Sequence, residues 1–184
     1  LLINSIKRVN LFVKLILIFS LIGALNGIKQ KHMGLSGGEQ RWLDAIGHVT
    51  LILGGNLRIF SFYIEAAQFG ASMGQFAILA IVIGLGAKKW GGKAFLILCG
   101  VVMFYAMLIS GTRGALFAFL VSAVFSIFLT KNFRTIIAGG IAVILFFCFL
   151  KFTTIGNTNY GIFRLRSAIN PQDESLNLRF INQQ

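Results

Sequence analysis

The charges of this 184-residue chain sit in short blocks, and the runs between them are long, apolar and almost free of ionisable groups. Crossing the roughly 30 Å hydrocarbon core of a bilayer as a helix takes about 20 residues, with a range of about 17 to 25. Five runs come near that length: residues 9–26, 67–87, 94–109, 115–130 and 135–150. In lipid every backbone N–H and C=O must be paired within the segment, which leaves the helix as the structure such runs can adopt. The chain is therefore expected to be all-α, a polytopic transmembrane helix bundle with about five spans. The third and fourth runs are short unless flanking Gly and Ser are counted. Lys14, inside the first, is expected to snorkel to the nearer surface.

Apolar residues make up 57% of the chain and Phe alone contributes 19 positions, more than a soluble core of this size can hide. The formal charge of +12 does not indicate nucleic acid, because no basic helix face or aromatic-interleaved basic patch is present. Cations in short loops between apolar spans are what anionic head groups and the positive-inside rule select, so membrane lipids are the expected partners. Cys99 and Cys148 lie inside apolar runs as small hydrophobes. The acids are few and scattered, so neither a metal nor a soluble cofactor is implied. The chain starts at Leu1 and stops at Gln184 in a polar segment just after a span, and it is read as a fragment of a larger bundle.

The loops predict orientation. Lys7 and Arg8, Lys88, Lys89 and Lys93, and Lys131 and Arg134 fall on one side with no acid among them, and that side is expected to be cytoplasmic. All the acids, Glu39, Asp44, Glu65, Asp173 and Glu174, fall on the other, expected to face the periplasm or cell exterior. Three units follow: residues 1–66, a first span and an outer loop; 67–151, four spans; and 152–184, the start of a large outer loop. Within the first loop residues 42–53 are too short for a span and read as an amphipathic helix in the interface. The pairs Gly37-Gly38, Gly54-Gly55, Gly91-Gly92 and Gly139-Gly140 form no phosphate-cradling motif.

Arg58, Arg113 and the group Arg164, Arg166 and Arg179 all fall on the outer side. A guanidinium costs at least about 3 kcal/mol in lipid, so Arg113, in a short turn between two apolar runs, calls for a reason. One reason is an anionic ligand, since the planar fork of arginine holds phosphate oxygens in two parallel charge-assisted bonds. The plainer one is that Arg113 anchors a helix end among head groups. Arg164, Arg166 and Arg179 read equally as substrate contacts or solvated loop charges, and Glu65 as an interfacial acid, an ion partner for Arg58 or a substrate contact. His32 and His48 read as surface histidines.

The turn Ser110-Gly111-Thr112-Arg113-Gly114-Ala115-Leu116 is followed by a span, a basic inner turn and another span. Then come Arg164-Leu165-Arg166-Ser167 and Asp173-Glu174-Ser175-Leu176-Asn177-Leu178-Arg179. This ordered set resembles the O-antigen ligase and O-antigen polymerase superfamily. There a Ser-x-Arg-Gly-like turn opens the shared membrane domain, and a large periplasmic loop begins with an arginine-containing, acid-Ser-x-x-x-Arg-like segment. The resemblance covers about residues 58–184.

What it implies is a metal-independent glycosyltransferase of the bacterial inner membrane with its active face in the periplasm. Such enzymes move a glycan from undecaprenyl pyrophosphate to an acceptor: lipid A core, a growing glycan, or a protein hydroxyl. Arg113 matches the first-turn arginine and Arg58 the other outer arginine, both expected to stabilise the pyrophosphate. Arg164, Arg166, Arg179 and Glu65 are the expected substrate contacts. The histidine that acts on the acceptor in this family lies farther along the large loop than Gln184, and neither His32 nor His48 matches it. A repeat polymerase of the same superfamily, or a non-enzymatic polysaccharide export or flippase subunit, is the alternative.

Overall fold

The computed structural model describes residues 5–53, 55–129 and 148. Their architecture is helical: α1 (Ile6–Met33), α2 (Gly37–Trp42), a π-helical turn (Leu43–Gly47), α3 (His48–Leu51), a small hairpin of β1 (Ile52–Leu53) and β2 (Asn56–Leu57), then α4 (Ala66–Gly86), α5 (Trp90–Ile109) and α6 (Arg113–Leu129). Three helices, α1, α4 and α5, are long and apolar enough to cross a membrane, and α6 is a shorter apolar helix of 17 residues. These are the features of a helical membrane protein. The expected fifth span, residues 135–150, lies outside the described residues apart from Cys148.

α1 runs further than its apolar stretch predicts. The expected end was residue 26, yet the helix continues through Lys29, Gln30, Lys31 and His32 to Met33 and stops where Gly34 takes a φ of +86°. Its extra turns are held by polar contacts described below, which hydropathy does not register. The cation Lys31 in its last turn suits the negative end of the helix dipole. At its start Ser5 caps the backbone N–H of Arg8 at 3.4 Å.

α4 is the centre of the bundle, packed most extensively on α5 and next on α6. Its buried face carries Ala66, Gly70, Gly74, Ala77, Ala80 and Gly84, the small residues that let helix backbones approach closely when hydrophobicity cannot drive them together in lipid. The partner helix answers in kind, for a β-carbon at Gly100 of α5 would lie 3.1 Å from the Ala77 carbonyl oxygen. α1 lies antiparallel to α4, because Gly27 faces Phe69 while Gly23, one turn earlier, faces Met73, one turn later. This core joins Leu17 and Ala24 of α1 to Phe69, Met73, Met103, Met107 and Ala115. The opposite faces of α1 and α6 present Leu11, Phe12, Phe19, Phe117, Phe125 and Phe128 outward.

The segment between α1 and α4 corrects one expectation. Residues 42–53 are not a single amphipathic helix. The helical run starts earlier, at Gly37, passes through the π turn, and ends at Leu51 in the hairpin. Part of its apolar surface turns inward: Leu43, Leu51, Phe60 and Ala66 form a second small core, with Trp42 against Phe60 at a ring separation of 5.2 Å, while Ile46 and Val49 stay exposed on the other side. What changes is the segment's bounds and continuity, and the exposed Ile46 and Val49 leave an apolar face that suits the interface.

Candidate functional site

Arg113 opens α6, and the turn before it is built by hydroxyls. Ser110 ends α5 with its N–H directed to Ala106 O and Met107 O at 3.3 and 3.2 Å. Its Oγ donates to Met107 O at 2.7 Å and lies 2.7 Å from Thr112 Oγ1, the two hydroxyls sharing a hydrogen bond. Both side chains are buried. Gly111 takes a φ of +59°, a left-handed conformation that lets the chain reverse between two helices. α4 closes on this turn at Gly70, where a β-carbon would collide with Ser110 Oγ and Thr112 Oγ1 and lie 3.0 Å from the Ala115 β-carbon. Arg113 is thus held on a turn packed from behind, with its Nε occluded from solvent. The first N–H groups of α6 add a partial positive charge at this end of the helix.

Arg58 follows β2 and is half-buried. Its backbone N–H donates to Leu51 O at 2.8 Å and its Nη1 to Thr50 O at 3.4 Å. These are the last carbonyls of α3, so the guanidinium sits at the negative end of that short helix, a stabilising place for a cation. Arg58 therefore has a structural task that sequence reading did not foresee. Arg58 precedes α4 and the turn that leads into Arg113 packs beside the first turns of α4 at Gly70, so both belong to the same end of the bundle.

Glu65 precedes α4 in an extended conformation and is exposed. It makes no ion pair among the described residues, so the expected Glu65 to Arg58 pair is not formed there. An acid just before α4 still suits the positive end of its dipole. Arg164, Arg166 and Arg179 lie outside the described residues. His48 is exposed on α3, whereas His32 places Nε2 3.1 Å from the Tyr105 hydroxyl on α5, with the rings stacked. Among the described residues no three His, Cys, Asp or Glu side chains come together to hold a metal.

The densest polar constellation among the described residues was not anticipated. Glu39 of α2, with 16% of its side chain exposed, accepts at Oε1 from Gln30 Nε2 at 2.8 Å and Asn26 Nδ2 at 3.2 Å. At Oε2 it accepts from the Ser36 N–H at 2.6 Å and forms an ion pair with Lys29 Nζ at 3.0 Å. Burial acts to raise its pKa. The Ser36 N–H, then Gln30 and Lys29, outweigh that and hold the carboxyl well below the usual range. Gln30, 3% exposed, also donates to Ser61 O at 3.2 Å and accepts from the N–H groups of Ser61 and Phe60 at 2.9 and 3.4 Å. Ser61 has a φ of +53°, and its Oγ donates to Gly23 O at 2.7 Å.

Two signals in the sequence point to this cluster. Asn26 and Gln30 stand four apart on one helix face, and Ser36-Gly37-Gly38-Glu39 has the spacing of a capping box. What joins them to Ser61 is tertiary. No family model, no curated protein and no solved structure matches the chain.

Proposed function

We propose that this chain is part of a membrane glycosyltransferase that moves a glycan from undecaprenyl pyrophosphate to an acceptor on the periplasmic side, in the manner of the O-antigen ligases. The observation that carries this reading is the Arg113 turn. A guanidinium opens a helix at the end of an apolar bundle, and the turn beneath it is fixed by two buried hydroxyls and a close helix contact. Departure of a lipid-linked pyrophosphate develops negative charge on its bridging oxygen. A cation whose position is set beforehand stabilises that charge without reorganising, most strongly where water is scarce. In this reading Arg113 is the principal pyrophosphate ligand. Arg58, already engaged with the end of α3, contributes from the loop, and Arg164, Arg166, Arg179 and Glu65 contact the remaining substrate.

The test is Arg113→Lys in the full-length protein, with surface glycan attachment and chain length measured at matched membrane levels. Lysine preserves the charge and an anchoring role but loses the forked geometry. Loss of transfer with normal insertion supports the reading. Failed attachment of full-length chains marks a ligase, and shortened chains mark a repeat polymerase. Unchanged glycan returns Arg113 to an interfacial anchor and leaves a non-enzymatic export or flippase subunit as the better account.

A further inference from the structure

We infer that Gln30 is a positioning residue for Arg58, an inference that rests on the reading of Arg58 as a pyrophosphate ligand. The carboxamide of Gln30 employs its whole hydrogen-bonding capacity. Nε2 donates to Glu39 Oε1 and Ser61 O, and Oε1 accepts from the Ser61 and Phe60 N–H groups. Phe60 and Ser61 are two and three residues beyond Arg58, whose own N–H and Nη1 are tied to the end of α3. α2, the π turn, α3 and the hairpin, with their own small core, therefore move with Arg58 as one unit. The polar links from that unit and its adjoining loop to α1 run through Gln30, Glu39 and Ser61, with Asn26 and Lys29 at the margin.

Ile59 and Tyr63 anchor the adjoining loop in the core of the bundle, but apolar contacts are non-directional and leave arrangements of similar energy, from which fixed polar pairs select one. Gln30 is suited to that selection because it is buried and sits on α1, which packs antiparallel to α4. α4 in turn packs on the turn that carries Arg113. Through this chain of contacts Gln30 registers the Arg58 loop against the bundle that presents Arg113. A loop merely stabilised by Gln30 would behave differently, because weakening it would affect ligand binding through both arginines alike.

The experiment is a double-mutant cycle on the full-length protein in lipid nanodiscs, with inorganic pyrophosphate as the probe. Affinities are compared for the native protein, Gln30→Met, Arg58→Lys and their combination, and for the same cycle with Arg113→Lys. The expected result is that Gln30→Met and Arg58→Lys each weaken binding about tenfold. Combined, they should weaken it hardly further, because a displaced Arg58 has nothing left to lose, while Gln30→Met and Arg113→Lys multiply. Ser61→Gly, which keeps the left-handed backbone but removes the bond to Gly23, should give a smaller loss with the same non-additivity, and it serves if Gln30→Met does not fold. Losses that multiply for Gln30 and Arg58 overturn the positioning role while leaving the pyrophosphate site standing. Unchanged binding in Arg58→Lys overturns Arg58 as a ligand, and the inference falls with it.

Discussion

Gly70 on α4 and Ser110 at the α5–α6 turn meet so closely that a β-carbon at position 70 would occupy the space of the Ser110 hydroxyl. Because that hydroxyl also bonds Met107 O and Thr112 Oγ1, the approach of two helices and the conformation of the turn before Arg113 are one structural fact.

Gly70→Ala should therefore destabilise the bundle by about 1–3 kcal/mol, the usual cost of overpacking. Gly86→Ala, at the other end of the same helix and with open space around it, should be close to neutral. Thermal unfolding of the two variants in detergent checks this, and equal midpoints would show that the turn yields without cost.

Glu39→Gln should cost about 2 kcal/mol, set by charge-assisted hydrogen bonds more than by the Lys29 charge, whose side chain is 35% exposed and screened. Its pH dependence has a defined sign. With the folded-state pKa depressed, the carboxylate contributes fully above the unfolded value of about 4.3, and the contribution is lost as pH falls from there toward the folded-state value. Stability of the native protein should decline more steeply than that of Glu39→Gln below about pH 4 and run parallel above about pH 5. Parallel curves throughout the acid range would contradict the assigned shift.

Gly27→Ala should be costly and Gly23→Ala tolerated, although both lie on the face of α1 toward α4. A β-carbon at Gly27 meets the ring of the fully buried Phe69, whereas at Gly23 it reaches the flexible Met73 side chain at an ordinary 3.8 Å. Phe69→Leu should recover part of the Gly27→Ala loss, giving a coupling of about 0.5–3 kcal/mol in a double-mutant cycle. Strict additivity would mean that α1 and α4 do not pack through this pair.

The charge distribution predicts orientation. α1 lies antiparallel to α4, so Lys7 and Arg8 share one end of the bundle with Lys88, Lys89 and Lys93, while the Glu39 cluster lies at the other. With single cysteines introduced, Phe62→Cys should react with a membrane-impermeant maleimide in intact cells and Lys89→Cys only after permeabilisation. The reverse pattern would invert the topology and remove the proposed periplasmic site.

The helices α4, α5 and α6 were legible in the chain to within a few residues, because in lipid a long apolar run has one way to satisfy its backbone and the flanking charges mark where it ends. The end of α1 and the course of residues 34–65 were not, since they depend on side chains that hydropathy counts only as polar. Whether Gln30 faces water or a buried carboxylate is undecided until Phe60 and Ser61 arrive from thirty residues away. The arginine at position 113 and its reversal at Gly111 could likewise be read from the residues. That the turn is buried, braced by a hydroxyl pair and pressed by Gly70 follows only from the approach of α4. Local chemistry determined which segments are helical and where charge must surface, and tertiary packing decided which polar groups meet, because those partners come from different elements and neither alone specifies the other.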